Sequence, residues 1–429
     1  TRGEVDTLRA ALLPHGVATS DPENEHSATR AILLATLGGA ELILNPSASW
    51  FTLGKHSWRR ELVRQRSREG LCGYLYASLL GADNTRLIFD GAGFIVSEGQ
   101  LLVESDRLRL DREVNVVDAL IDLSSIRRAR RETGSWRRQV SAETRQLDRV
   151  KIPSLGERYQ DSEETSQRVT PSIIPDWISD PQLEIEPSLS WWSKDERLSG
   201  SQLLQRGEVN ELELELALCL GLHDYMRKAK IKAIALALSG GRDSAMVALL
   251  VHRMWRYRHP TLTIDELRAS LTERFHCAYL ATENSGSATQ GAAKALASEL
   301  GATFYDLNIQ EALSAHHSLI SHALNRKLTW ADPTDDITLQ NVQARLRGSV
   351  IWMIANSHKA LLLATSNKSE AAVGYTTMDG DTSGGLSPIA DVPKSLVSRW
   401  LRWARERYEI QSLEQINGLE PTAEFRPAS

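Results

Sequence analysis

The sequence predicts an α/β protein whose second half is a doubly wound parallel sheet with helices on both faces. Three observations carry this. Residues 234–238 are a short apolar run that stops at glycine, and the stretch from Ala245 to Tyr257 then shows apolar residues at helical spacing. Residues 361–365 form a second apolar run that ends in polar residues, and residues 276–280 form a third. Short apolar runs bounded by loops and alternating with helical patterns read as buried parallel strands. Ahead of them, residues 40–46, 72–78 and 88–96 read as strands of a smaller region, with Gly91 and Gly93 where a turn is needed.

The loop after the first run is the most informative segment. It reads Ser239-Gly240-Gly241-Arg242-Asp243-Ser244. Two glycines let the backbone approach a ligand, two serines add hydroxyl donors, and the helix start adds unpaired N–H groups. Together these make a seat for a polyphosphate. No Gly-Lys-Ser/Thr follows, so this is not a Walker A loop. Asp243 beside an anion makes sense with a divalent cation between the two. Taken alone, the loop also fits a plain glycine turn capped by Asp243 and Ser244.

The second run leads into Ser366-Asn367-Lys368-Ser369-Glu370, then residues 371–375, then the glycine-rich stretch 378–389, and ends near Pro393-Lys394. Open α/β sheets place ligands at the carboxyl ends of their strands, which is where these polar residues fall. Upstream, residues 339–347 are helical in pattern and offer Gln340 and Arg345. Residues 276–280 run into Ala281-Thr282-Glu283-Asn284-Ser285.

The loop resembles the pyrophosphate-binding loop of ATP pyrophosphatases, and the four blocks in order, over residues 207–427, resemble NAD+ synthetase. The resemblance implies an adenine nucleotide alpha hydrolase-like domain. It also implies ATP- and Mg2+-dependent amidation of deamido-NAD+ through an adenylate, with release of pyrophosphate and AMP. Ser239, Gly240, Gly241, Asp243, Ser244, Thr365 and Lys394 would bind ATP. Asp243 and Glu370 would hold Mg2+. Arg345, Glu370 and Tyr375 would contact deamido-NAD+. Each has a plainer counterpart: a helix-start glutamate for Glu370, a strand-end cap for Thr365, a solvated helix arginine for Arg345 and a surface lysine for Lys394.

The first third resembles the later half of a nitrilase-type amidohydrolase domain, an α-β-β-α sandwich that releases ammonia from glutamine in glutamine-dependent NAD+ synthetases. Ser49 and Lys55 would then be candidates for a glutamine pocket, or simply a loop hydroxyl and a surface lysine. Such a glutaminase needs a thiolate with a Glu and a Lys. The place where its cysteine belongs reads Gly16-Val17-Ala18-Thr19-Ser20-Asp21-Pro22, so no glutaminase nucleophile is assigned. Cys72 lies in an apolar strand and reads as core. The missing earlier strands and the opening at Thr1 point to a degenerate or shortened glutaminase half. Residues 419–427 resemble a segment that family members continue past.

Expected domains are therefore 1–131 (partial amidohydrolase), 132–206 (a polar linker with Pro171, Pro175, Pro181 and Pro187, pinned by Trp191-Trp192) and 207–429 (synthetase). From Gly207 the alternating leucines from Leu212 to Leu222 are read as a helix, although strict alternation fits a strand equally. The basic stretch from Arg127 to Arg138 is read as a solvated helix end.

Composition narrows the classes further. The chain has 429 residues, 41% hydrophobic and 24% charged, with a net charge of −5. That balance is ordinary for a globular protein and gives no nucleic-acid footprint. Three cysteines suit a reducing cytoplasm, and no membrane span or signal peptide is visible. The expected partners are small molecules (deamido-NAD+, ATP, ammonia or glutamine), and the resemblance implies a homo-oligomer. Two alternatives stay open: a non-catalytic nucleotide-binding remnant or partner subunit, and another amidotransferase with the same loop.

Overall fold

The structure is a computed structural model that describes residues 32–83, 86–142, 209–419 and 426. The expectations for residues 16–22, for 143–206 and for most of the last ten residues lie outside these. The chain forms two compact units: described residues up to Leu79, Gly91–Arg107 and those from Val114 to 142 make the first, and Leu80–Asp90, Leu108–Glu113 and residues from 209 on make the second.

In the first unit, β1 (Leu42–Ser47) pairs in parallel with β2 (Gly73–Ser78). β2 pairs antiparallel with β5 (Gly93–Ser97), and β5 with β6 (Gln100–Glu104). Helix α1 (Lys55–Glu69) turns His56, Arg59, Val63 and Ser67 inward, one face at helical spacing. Val63, Tyr74, Tyr76, Phe94 and Val96 form its core. The run 88–96 is not one strand. It breaks at Gly91, φ 73°, into β4 (Ile88–Asp90) and β5, which belong to different sheets. The turn expected at the glycines is this break; what the sequence does not show is that the two halves join different sheets.

Helices α2 (Leu123–Glu132) and α3 (Gly134–Ala142) carry the basic stretch. Arg130 is not solvated as expected. Its guanidinium donates to the carbonyls of Ala40 (2.6 Å), Leu71 (2.9 Å) and Gly70 (3.2 Å) and lies over the Trp136 ring.

The second unit holds a parallel sheet in the order β10-β7-β8-β9: β7 (Ala233–Ala237), β8 (Phe275–Ala281), β9 (Thr303–Asn308) and β10 (Ala360–Leu363). Helices α5 (Arg242–Arg258) and α7 (Ser287–Leu300) pack on one side, and α9 (Pro333–Ser357) on the other. Ala235, Ala278, Leu280 and Leu362 meet Ile351 and Ala355 of α9. This is the predicted doubly wound arrangement. The chain winds from β7 through β8 to β9, then returns to the other side of β7 as β10. The order reverses between β7 and β10, and the crevice outside their carboxyl ends is where such sheets bind ligands.

The alternating leucines fold as helix α4 (Val209–Ala229). Alternation misleads here because the intervening glutamates are buried too. Glu215 accepts from Arg253 (2.8 Å), Tyr257 (2.7 Å) and Tyr408 (2.9 Å), and Glu211 pairs with Arg399 (2.6 Å). β3 (Leu80–Ala82) and β4 form a hairpin against α4, where the Ala82 N–H donates to Asp224 (2.7 Å).

Candidate active site

The crevice at the ends of β7 and β10 opens into a cavity of 380 Å³. Its floor is the loop 239–244. Gly240 has φ +78°, and a Cβ there would stand 2.2 Å from the Thr289 carbonyl oxygen, so only glycine fits. The hydroxyls of Ser239 and Ser244 lie 3.1 Å apart, and Ser244 donates to the Gly241 carbonyl at 3.0 Å. The loop thus holds its own shape, with the Ser239 N–H donating to Ser244 Oγ and the Gly241 N–H to Ser239 Oγ (both 3.3 Å), and it lines the cavity where α5 begins. Arg242 also lines the cavity and donates to the carbonyls of Asn417 (2.9 Å) and Leu419 (3.1 Å).

The opposite wall follows β10. Thr365 and Ser366 line it, and Asn367 caps the short helix α10 (Lys368–Val373), which presents Glu370 and leads to Tyr375. Helix α11 (Lys394–Tyr408) begins with Lys394, whose N–H donates to Ser369 (3.0 Å). The Lys394 ammonium pairs closely with Asp243 Oδ2 and lies 3.5 Å from Glu370 Oε1. Burial, and then the neighbouring Asp243 charge, raise the Glu370 pKa above the usual carboxylate value. The two carboxylates thus converge beside the glycine loop with the Lys394 ammonium against both.

Of the residues singled out by sequence, Ser239, Gly240, Gly241, Asp243, Ser244, Thr365, Glu370, Tyr375 and Lys394 all line this cavity. Arg345 does not. It is exposed, and its Nε donates to the Met378 carbonyl (3.1 Å). Arg347, one of the cavity residues that sequence reasoning passed over, stands in the wall and donates to the Leu280 carbonyl (3.2 Å). Asp381 and Thr289 line the cavity as well. Ser49 and Lys55 belong to the first unit. Ser49 Oγ accepts from Arg59 (3.3 Å), and Lys55 donates to the Trp50 carbonyl (3.2 Å) with its ammonium over the Trp50 ring.

The three thiols are buried. Burial pushes Cys72 up to about 11 and raises Cys219 and Cys277 as well. Among the described residues no group of three or more His, Cys, Asp or Glu is placed to hold a metal. No described helix is long and apolar enough to cross a membrane.

Fold and site define a class: a switch-point α/β domain with a glycine-loop anion seat faced by paired carboxylates and a lysine. A family model described as NAD synthase matches residues 215–428, and this part of the chain belongs to the NAD synthase family. The chain is 29% identical to the glutamine-dependent NAD(+) synthetase of Aquifex aeolicus, over 91% of this chain and 57% of that protein. It is also 29% identical to that of Oryza sativa subsp. indica, over 91% and 53%. The crystal structure of a glutamine-dependent NAD(+) synthetase from Cytophaga hutchinsonii matches with a TM-score of 0.65 and 32% identity, over 90% of this chain and 56% of that one. An Acinetobacter baumannii synthetase solved with adenosine diphosphate shares the fold, at TM-score 0.62 and 18% identity. The chain thus spans little more than half the length of these relatives.

Proposed function

We propose that the second unit is an ATP-dependent ligase that amidates the nicotinate carboxylate of deamido-NAD+. One observation carries this: Asp243, Glu370 and Lys394 converge beside the 239–244 loop at the switch point. A carboxylate is a poor electrophile. Adenylylation by ATP gives it a leaving group, and ammonia then displaces AMP to form the amide. The loop N–H groups, Ser239 and Ser244 hold the departing pyrophosphate, and Lys394 neutralises phosphate charge. Thr365 at the end of β10 contacts the nucleotide. Tyr375 and Glu370 face the deamido-NAD+ substrate, and Arg345, exposed on α9 and bonded to the Met378 carbonyl, is a further contact proposed for it.

Two carboxylates suit Mg2+, a hard ion that takes one or two carboxylates and fills its remaining positions with water and phosphate oxygens. Asp243 and Glu370 would hold it, and it would screen the charge that builds on the phosphates.

In this reading residues 1–131 are an amidohydrolase-like portion, 132–206 a connection and 207–429 the ligase. Ser49 and Lys55 mark the region of a glutamine pocket. None of the described thiols is offered as its nucleophile, because each is buried with a raised pKa. Ammonia is the proposed nitrogen donor to the ligase, and three free thiols suit a reducing cytoplasm.

The test supplies ATP, Mg2+, deamido-NAD+ and ammonium and measures AMP and NAD+. Stoichiometric AMP and NAD+ are expected. Nucleotide binding without AMP would identify a non-catalytic remnant instead.

A further inference from the structure

Asn367 is fully buried at the carboxyl side of β10. Its side-chain amide donates to Asp243 Oδ1 (2.9 Å), and its main-chain N–H donates to Glu370 Oε2 (3.3 Å). Its side-chain carbonyl accepts the Glu370 N–H (3.0 Å) and starts α10. One residue thus takes one oxygen from each carboxylate. The oxygens left over, Asp243 Oδ2 and Glu370 Oε1, both face the Lys394 ammonium. Where that ammonium sits is where the two carboxylates together favour positive charge.

We propose that Asn367 is a positioning residue that aims Asp243 and Glu370 at one shared cation. The proposal rests on the ligase reading above, in which that cation is Mg2+. Capping alone does not explain the residue type. Ser, Thr and Asp accept the helix-start N–H as well as Asn does. A carboxylate at this place accepts but cannot donate, and a serine hydroxyl is too short to reach across to Asp243. A side-chain amide carries an acceptor oxygen and a donor nitrogen on one short stem, so it accepts from one element while donating to another. Without the donated hydrogen bond, Asp243 is held by its Lys394 contact alone, and the pair loses the second restraint that fixes its common focus. Groups that orient metal ligands in this way typically change metal affinity about 10- to 100-fold when removed.

The experiment measures ATP binding by calorimetry, across a magnesium titration and in EDTA, alongside the thermal unfolding midpoint. Asn367→Ser keeps the cap and removes the donor. Its unfolding midpoint should stay close to wild type, and its ATP binding in EDTA should be unchanged. Its magnesium requirement for ATP binding should rise roughly ten-fold or more. In an Asp243→Ala background the same change should add nothing further, because the oxygen it orients is gone. An unchanged magnesium requirement in Asn367→Ser, with wild type magnesium-dependent, would overturn the positioning role and leave Asn367 a cap. An additive effect on top of Asp243→Ala would overturn it as well. Wild-type ATP binding that ignores magnesium would overturn the metal reading, and the role of Asn367 with it.

Discussion

Gly240→Ala probes the anion seat most directly. The added Cβ would stand 2.2 Å from the Thr289 carbonyl oxygen, so loop and helix α7 must part by about 0.8 Å merely to reach 3.0 Å. The left-handed backbone, φ +78°, costs a non-glycine residue about 1–2 kcal/mol. Forcing the packed contact apart adds roughly 1–3 kcal/mol. Gly374, at φ +70° with nothing within 4 Å of its would-be Cβ, supplies the control in the same unit. Gly374→Ala should lose only the backbone component, about 1 kcal/mol. Urea unfolding of both variants isolates the steric component as the difference between them. A seat displaced by most of an ångström should also lose on the order of 100-fold in AMP formation. If the two variants unfold within about 0.5 kcal/mol of each other, the close approach of Thr289 is not a real constraint.

Three further outcomes are expected. Glu370→Gln should raise the magnesium needed for half-maximal AMP formation more than it raises the KM for ATP; an unchanged magnesium curve returns Glu370 to a helix-start carboxylate. All three cysteines should resist a thiol reagent at pH 8 in the native protein and react only on denaturation, given burial and a Cys72 pKa near 11; a single fast thiol contradicts this. His252, pushed down to about 3 mainly by burial and next by Arg253, stays neutral in the fold while the unfolded chain protonates near 6.5. The unfolded state therefore binds more protons between those values. The associated stability is complete above pH 6.5 and is lost toward pH 3, at up to about 1.4 kcal/mol per pH unit. His252→Leu should flatten the dependence of the unfolding midpoint on pH between 6.5 and 5.

Most of the second unit was legible because buried parallel strands read as bare apolar runs, and their ligands gather where those runs end. Ser239 to Ser244 and Thr365 to Glu370 announce themselves in that way. The phase of a helix does not. Arg345 and Arg347 are two positions apart on α9, about 200° around its axis, and only packing against the sheet decides which one enters the cavity wall. Asn367 stands inside a legible motif, but its link to Asp243 spans 124 positions, and nothing local signals it. The alternating leucines of α4 show the same limit from another side. Periodicity reports which face is dry only when the other face is wet, and here buried ion pairs make every face dry.

Arg242 has a consequence for the order in which this protein is made. The 239–244 loop carries its own tether, but the far end of that tether is the pair of carbonyls at Asn417 and Leu419, 175 and 177 positions downstream. Lys394 is 151 positions from Asp243. At about 5–20 residues per second, a ribosome needs roughly ten to thirty-five seconds to travel from the loop to its anchor. Through the earlier part of that interval the nascent chain has the glycine loop without Thr365, Glu370 or Lys394 of the opposing wall, and to its end without the Arg242 anchor. The cavity is therefore completed by segments far downstream of the one that holds the recognisable motif.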